Sequence, residues 1–494
     1  MNTCCKSYLK FGVAMLVLLI GVGGYIAWDR GFREHPQEDW VMRDADTRFM
    51  YSSIGGEWDA GIPYWIFYVL PRLFPEKLPG PGGYSSLGIP WQEGYELPVG
   101  FTKMTIGFPR VGNNCAVCHT MTYRIKEDAK PVFIPLGPGH TSNVEGFFRF
   151  LIDCAKDPRF NADNIMFQIA QVTKLDLIDT VLYRYFIIPI TKKRLLEREH
   201  QFQWIYNKAY PDWGRGRDDA MNLTKYFMIK QEPPDDGTFG PTDFPAIWNL
   251  KKYDNPEGEK NPQRLNLAAD TWDAYSVVMD SALGILGAAP HHQQAFIDQV
   301  RWVTDYAKAA PIPKYPEEFP IDPAKAQAGS LVFDQHCAGC HAEGSPKVGR
   351  PLPLAEIGTN RDRLDSWNKN AAIKANQIVK DLGIDRRGLV EEDLIGYNVP
   401  HLDGIWLRGP YLHNGSVPTL RDLLKPPAER PKLFYRGCDV YDPVNVGFKE
   451  CPEGKRIDPP YDVSRKGNGN SGHVFGTELP ASDIDALIEY MKTL

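Results

Sequence analysis

Two pentapeptides constrain this chain more than anything else in it: Cys115-Ala116-Val117-Cys118-His119 and Cys337-Ala338-Gly339-Cys340-His341. Each sets two thiols three positions apart and an imidazole directly after the second. With 9 Cys and 11 His in 494 residues, one such pattern arises by chance roughly 0.004 times and two on the order of 10⁻⁵. The spacing is that of covalent c-type haem attachment, in which both sulfurs reach the vinyl groups on one porphyrin edge and the adjacent His turns under the iron as proximal ligand. A redox Cys-x-x-Cys or a zinc site has no need of that His twice. Two covalently bound haem c groups are therefore expected, one on Cys115, Cys118 and His119 and one on Cys337, Cys340 and His341.

Haem c is attached outside the cytoplasm in bacteria, and the N-terminus points the same way. Phe11 to Trp28 carries no charge, follows Lys6 and Lys10, and ends at Asp29 and Arg30. That run is long enough to cross a bilayer. A signal peptide would have a shorter apolar region ending in small residues, whereas Tyr25, Ile26 and Trp28 fill this end. The favoured reading is an uncleaved anchor over 1–28, its N-terminus in the cytoplasm and Trp28 at the interface. A single-pass inner-membrane protein with its body in the periplasm follows. The 56 basic and 62 acidic residues give a net charge of -6 without a long single-sign block, which argues against a nucleic-acid partner.

Forty-four Gly and 41 Pro imply a folded but loop-rich chain. Residues 29–100 read as an extended arm, 101–310 as the first haem domain, 311–326 as a Pro-rich linker and 327–494 as the second. Within them Ser142 and Glu145 suggest a capping box before the stripe Val144, Phe147, Phe148 and Leu151, and a helix over 290–310 carries Phe296, Val300 and Val303 on one face. Ser482 and Asp485 suggest a capped final helix with Ile484, Leu487, Ile488 and Met491 inward. The run VLYRYFIIPI before Thr191-Lys192-Lys193-Arg194 could form a substrate entrance or a membrane-touching loop, but the favoured reading is a core helix ended by Pro189 and followed by a solvated basic turn. Cys438 and Cys451 flank a short loop and are expected to form a disulfide in an oxidising compartment, and Cys154 to be buried.

The sixth iron ligand decides whether a haem passes electrons or handles oxygen species. After Met279 the only Met is Met491, so a His/Met pairing at the second haem is hard to build and a second His is favoured. His401, His413 and His473 are all available, and composition does not choose. Near the first haem, none of His140, His200, His291 and His292 stands in a setting that demands ligation. An open distal face is the expectation there, with Trp204, Trp213, Arg217 and Met221 as candidate pocket residues.

The segments GNNCAVCHTMTYR, GPGHTSNVEGFFRFLIDCAKDPRFN, DFPAIWN, LDGIWLRGPYLHNGSVPTLRDLLKPPAERPKLF and NSGHVFGTEL resemble the extracellular and periplasmic di-haem c-type cytochromes of the bacterial cytochrome c peroxidase superfamily, most of all the rubber oxygenase-like branch. The resemblance spans roughly residues 100–494. It implies a mainly α fold with extensive loops and two cytochrome c-like haem domains after the N-terminal helix, His473 as distal ligand of the second haem opposite His341, and a first haem with His119 and an oxygen-reactive face. Residues 250–280 depart from that pattern, so polyisoprene is not inferred as substrate. Two functions follow. One is a peroxidase- or oxygenase-type oxidoreductase acting on peroxide or dioxygen, its second haem carrying electrons. The other is a non-catalytic cytochrome passing electrons between a membrane redox protein and a partner outside.

Overall fold

Pro and Gly at this density interrupt regular structure, and the chain is a succession of short elements joined by long loops. The computed structural model describes residues 2–230, 237–256, 258–288 and 291–494, with side chains from residue 10 onward. About 44% of the chain is helical and 11% is strand, a mainly α protein. Its longest helix is Asn2–Gly31. The part from Lys10 to Gly31 has a mean hydropathy of 2.1 and buries nothing. Among the described residues it is the one helix long and apolar enough to cross a membrane, a property it shares with signal sequences.

Residues 29–100 are not an extended arm. Asp44 accepts from the Thr47 amide at 2.7 Å and caps the helix Ala45–Tyr51, which buries Phe49, Met50 and Tyr51. The helix Tyr64–Leu73 buries Ile66, Phe67, Val69 and Leu70. The strands Glu34–His35 and Ile62–Pro63 flank the hairpin formed by Phe101–Ile106 and Phe108–Asn113, completing a four-stranded antiparallel sheet. The aromatic content of this segment, which shows no clear period, is core material spread over several short elements. The last strand of the sheet runs straight into Cys115, so the segment holds the first motif in place.

Two helix starts differ from expectation. The helix Val144–Lys156 is capped by Asn143, which accepts from the Gly146 amide at 2.7 Å, and not by Ser142. Glu145 turns inward instead of capping, and accepts from Arg149 and from the Trp213 amide. The final helix, Ala481–Met491, follows Pro480 with no side-chain cap, and Ser482 and Asp485 lie inside it. Asp485 is engaged by Arg421 at 2.8 Å. The helix does dock, burying Ala486, Leu487, Ile488 and Met491. Its partner is the helix Pro323–His336, which delivers Cys337 at its end. The two approach so closely at Gly329 that a Cβ there would lie 1.9 Å from the Ala486 carbonyl oxygen. Cys438 and Cys451 form the expected disulfide, and Cys154 is buried.

The stretches on either side of the Pro-rich segment do not keep separate cores. One apolar cluster draws on Phe49, Ala116, Met121, Met221 and Val278 as well as Phe333, Trp406, Tyr441 and Leu487. Trp406 is 1% exposed and meets Tyr123, Tyr315 and Tyr441 edge-on, with ring centroids 6.0, 5.1 and 5.5 Å away. Such contacts add to the burial of area itself. Replacing Trp406 by Ala is expected to cost about 3–5 kcal/mol. In urea denaturation the far-UV and visible signals should then shift together, as one cooperative unit; separate shifts would mean independent domains.

Candidate functional site

Each pentapeptide is folded so that its thiols and imidazole turn to one cavity. At the first, Asn114 accepts from the Ala116 amide at 2.9 Å and donates to the carbonyls of Phe49 and Ser52, fixing the turn Cys115–Val117. The His119 amide closes back on the Cys115 carbonyl at 3.0 Å. At the second, the helix Pro323–His336 runs out at Cys337, and the Cys340 and His341 amides both bond its carbonyl at 3.0 Å. Neither thiol pair is joined as a disulfide. Cys115, Cys118 and His119 line a cavity of about 130 Å³. Cys337, Cys340 and His341 line one of about 330 Å³. Both exceed by several fold the roughly 30 Å³ a water molecule occupies.

The two proximal candidates share a second feature. His119 Nδ1 lies 2.9 Å from the Pro245 carbonyl oxygen, and His341 Nδ1 lies 3.1 Å from that of Pro400. A carbonyl only accepts, so Nδ1 carries the proton and the Nε2 lone pair is left free. Burial pushes the His119 pKa down to about 4 and lowers that of His341, the carbonyl bond acting weakly the other way. Both rings are neutral at pH 7. This is the outer-shell support that metal-bound imidazoles use to set tautomer and orientation. Pro245 and Pro400 were not singled out from the sequence, although Ile-Trp follows both, as Ile247-Trp248 and Ile405-Trp406.

The larger cavity has an imidazole on its other side. His473 faces His341 with ring centroids 6.3 Å apart. Two in-line metal–imidazole bonds of about 2 Å put the centroids roughly 6 Å apart. His473 Nδ1 is buried without a hydrogen-bond partner, so the backbone sets the orientation of this ring. His473 has a φ of 45°, and its amide donates to the Ile357 carbonyl at 2.7 Å. Gly472 has a φ of 82°, and a Cβ there would lie 2.4 Å from the Gly358 carbonyl carbon. Arg430, 2% exposed, donates to the carbonyls of Asn470 at 2.7 Å, Gly472 at 2.8 Å and His473 at 3.1 Å. Of the alternatives, His401 is engaged by Gln263 at 3.0 Å. His413 lies flat on Tyr397 with centroids 3.9 Å apart, its pKa pushed down to about 3 by burial and by Arg363 and Arg217. Both line the cavity, as does Met491.

The smaller cavity differs. Among its described lining residues His119 is the only imidazole and Met221 the only thioether. Val277 and Val278 of the helix Ala274–Gly284 give it part of its apolar wall, and Ser281 adds a hydroxyl. Asp218 and Asp280 also line it, their carboxyl pKa values pushed up to about 7 by burial. Arg386 sits 2.6 Å from Asp280. Trp204 and Trp213 are not pocket residues: they pack on each other in a separate cluster with Ile152, Phe202 and Phe239. Arg217 is likewise away from the cavity, donating to the Trp213 carbonyl at 2.6 Å and to Asn468 at 2.9 Å. Aromatic density marked a core there, not a binding site. His140 lies flat on Phe448 and His291 on Trp58, and neither lines this cavity.

The cavities share a wall. Asp243, Phe244, Pro245, Ile247, Asn266 and Leu267 line both, so the carbonyl that orients His119 belongs to the partition itself. Paired thiols, a neutral imidazole with its free nitrogen available and mostly apolar walls are what a covalently held haem requires, and the residues present fit that group at both places. Removing the Arg430 clamp with Arg430→Met should lower stability by about 2–4 kcal/mol. Limited proteolysis should then cut first between residues 470 and 479; an unchanged cleavage pattern would show that the His473 loop holds itself.

The family model described as RoxA-like, cytochrome c-like matches residues 396–435, the stretch holding Pro400, Trp406, His413 and Arg430. The uncharacterized protein y4iJ of Sinorhizobium fredii (strain NBRC 101917 / NGR234) is 41% identical to this chain over 475 residues, covering 78% of the chain and 77% of that protein. The uncharacterized protein y4iM of the same strain is 31% identical over 298 residues, covering 51% of the chain and 64% of that protein.

Proposed function

Since this chain belongs to the same family as the Sinorhizobium fredii protein y4iJ and carries a RoxA-like, cytochrome c-like segment with a redox character, we propose that it is a membrane-anchored periplasmic di-haem c-type cytochrome oxidoreductase, peroxidase- or oxygenase-like. In this reading Cys115, Cys118 and His119 hold one haem and Cys337, Cys340, His341 and His473 the other. Haem iron, when bound, supplies one-electron and oxygen chemistry, and the axial ligands and surroundings decide which.

The observation that carries the reading is the asymmetry of two sites built to one plan. Both have the thiol pair, the imidazole and the proline carbonyl, but only the larger cavity sets a second imidazole 6.3 Å across from the first. His341 and His473 together suit an electron-carrying centre. Among its described lining residues the smaller cavity offers His119 as the one imidazole, so a haem held there would be free to take peroxide or dioxygen. There Asp218, its carboxyl pKa pushed up to about 7 by burial, can hold and release a proton at neutral pH. The partition 243–247 keeps the two sites one wall apart, a short path for an electron entering from a partner protein. The helix Lys10–Gly31 serves as the anchor.

Met221 supports a second reading. It lines the smaller cavity, and a thioether on the first iron would make both centres six-coordinate and the protein a non-catalytic electron-transfer cytochrome serving a membrane redox partner.

EPR and optical titration with cyanide separate the two. The purified protein should show one low-spin centre and one that binds cyanide; two low-spin centres inert to cyanide and peroxide would remove the enzyme reading, the more so if Met221→Leu then turned one high-spin. His473→Ala should make the second centre high-spin with covalent haem content unchanged. If His413→Ala does this instead, His473 is not the ligand.

A further inference from the structure

The run VLYRYFIIPI is not a core helix. It belongs to a nearly continuous helical rod, Leu177–Leu182, a π turn over Tyr183–Ile187, and Ile188–Gln201. The rod has an inner face that is complete: Tyr183, Ile187, Ile188, Thr191 and Leu195 are buried. Its outer face is apolar as well and is left uncovered by the described residues. Leu177 is 81% exposed, Tyr185 64%, Phe186 54% and Ile190 50%, and Phe167 on the neighbouring helix Ala162–Ala170 is 63% exposed. Soluble proteins rarely leave a contiguous patch of large apolar side chains in water.

Its place in the molecule names its occupant. Asp176 caps the first turn of the rod and Asp179 lies within it. Arg30, at the end of the N-terminal apolar helix, bonds Asp176 at 2.9 Å and Asp179 at 3.0 Å. The exposed stripe therefore begins where the apolar helix ends. Exposed Lys174 precedes the stripe and exposed Lys193 and Arg194 follow it, Lys193 lying 3.9 Å from Glu197 and Asp176 being taken up by Arg30; cations at the edge of an apolar face are what anionic headgroups meet.

We propose that this rod is a second membrane contact, lying in the headgroup region of the leaflet from which the N-terminal helix emerges, with Leu177, Tyr185, Phe186 and Ile190 turned into the acyl boundary. A single span leaves a protein free to swivel. Two contacts joined by Arg30 fix which face of the haem-bearing body looks at the membrane and which looks outward. The inference rests on the reading of Lys10–Gly31 as a retained span.

Photolabelling tests it on the full-length holoprotein. The protein is reconstituted into vesicles of phosphatidylethanolamine with a minority of phosphatidylglycerol, doped with a diazirine-bearing phosphatidylcholine, and the labelled peptides are mapped by mass spectrometry. Label is expected in the N-terminal helix and in the 175–190 peptide. Label in the N-terminal helix alone overturns the second contact and leaves the anchor standing; label in neither overturns both. A variant with Leu177→Asp, Tyr185→Asp and Phe186→Asp should lose label from 175–190 while keeping it in the N-terminal helix and keeping its visible spectrum. Label retained in 175–190 of that variant would also overturn the proposal.

Discussion

The hydrogen bond from Nδ1 of each candidate proximal histidine, His119 and His341, to a proline carbonyl is the contact on which the candidate chemistry depends. It spends the one ring proton on the protein and leaves Nε2 free. The bonds His119–Pro245 and His341–Pro400 span 126 and 59 residues, so each records that distant parts of the chain have closed over a motif. Burial then keeps both rings neutral. Much of the surrounding fold can be read as support for these two closures. The sheet that includes residues 34–35 and 62–63 leads into Cys115, and the final helix is pressed onto the helix that ends at Cys337.

From one repeated plan the chain makes two unlike sites. The larger cavity receives His473 because Gly472 and Arg430 force a loop into a conformation that most residues avoid, and among the described residues no second imidazole lines the smaller one. Ligand number at a haem sets its chemistry, so this loop is where the proposed functions of the two halves part. The wall over 243–247 serves both sides, which places the orientation of His119 and the separation of the sites in the same few residues.

The sequence was most informative where chemistry demands a fixed local spacing. Both thiol pairs, their adjacent histidines, the disulfide and the N-terminal apolar run could be read directly. His473 rested on a resemblance, since composition left it level with His401 and His413, and only the geometry of a distant loop separates them. Position across a cavity is not a local property. The same reason accounts for Trp204, Trp213 and Arg217, whose aromatic neighbourhood is a packing cluster, and for the 29–100 segment, whose short helices have too few turns to show a period. In the run at 181–190 apolar composition alone suggested a core, because a helix with a second, outward apolar face carries the same residues as a buried one.

The stoichiometry of covalent haem tests the central claim most directly. Matured in a host that attaches haem c and digested, the protein should yield two haem-bearing peptides, one containing Cys115 to His119 and one containing Cys337 to His341, with two haems per polypeptide by alkaline pyridine spectrum. A colourless protein, or haem on only one of the two peptides, would contradict the account.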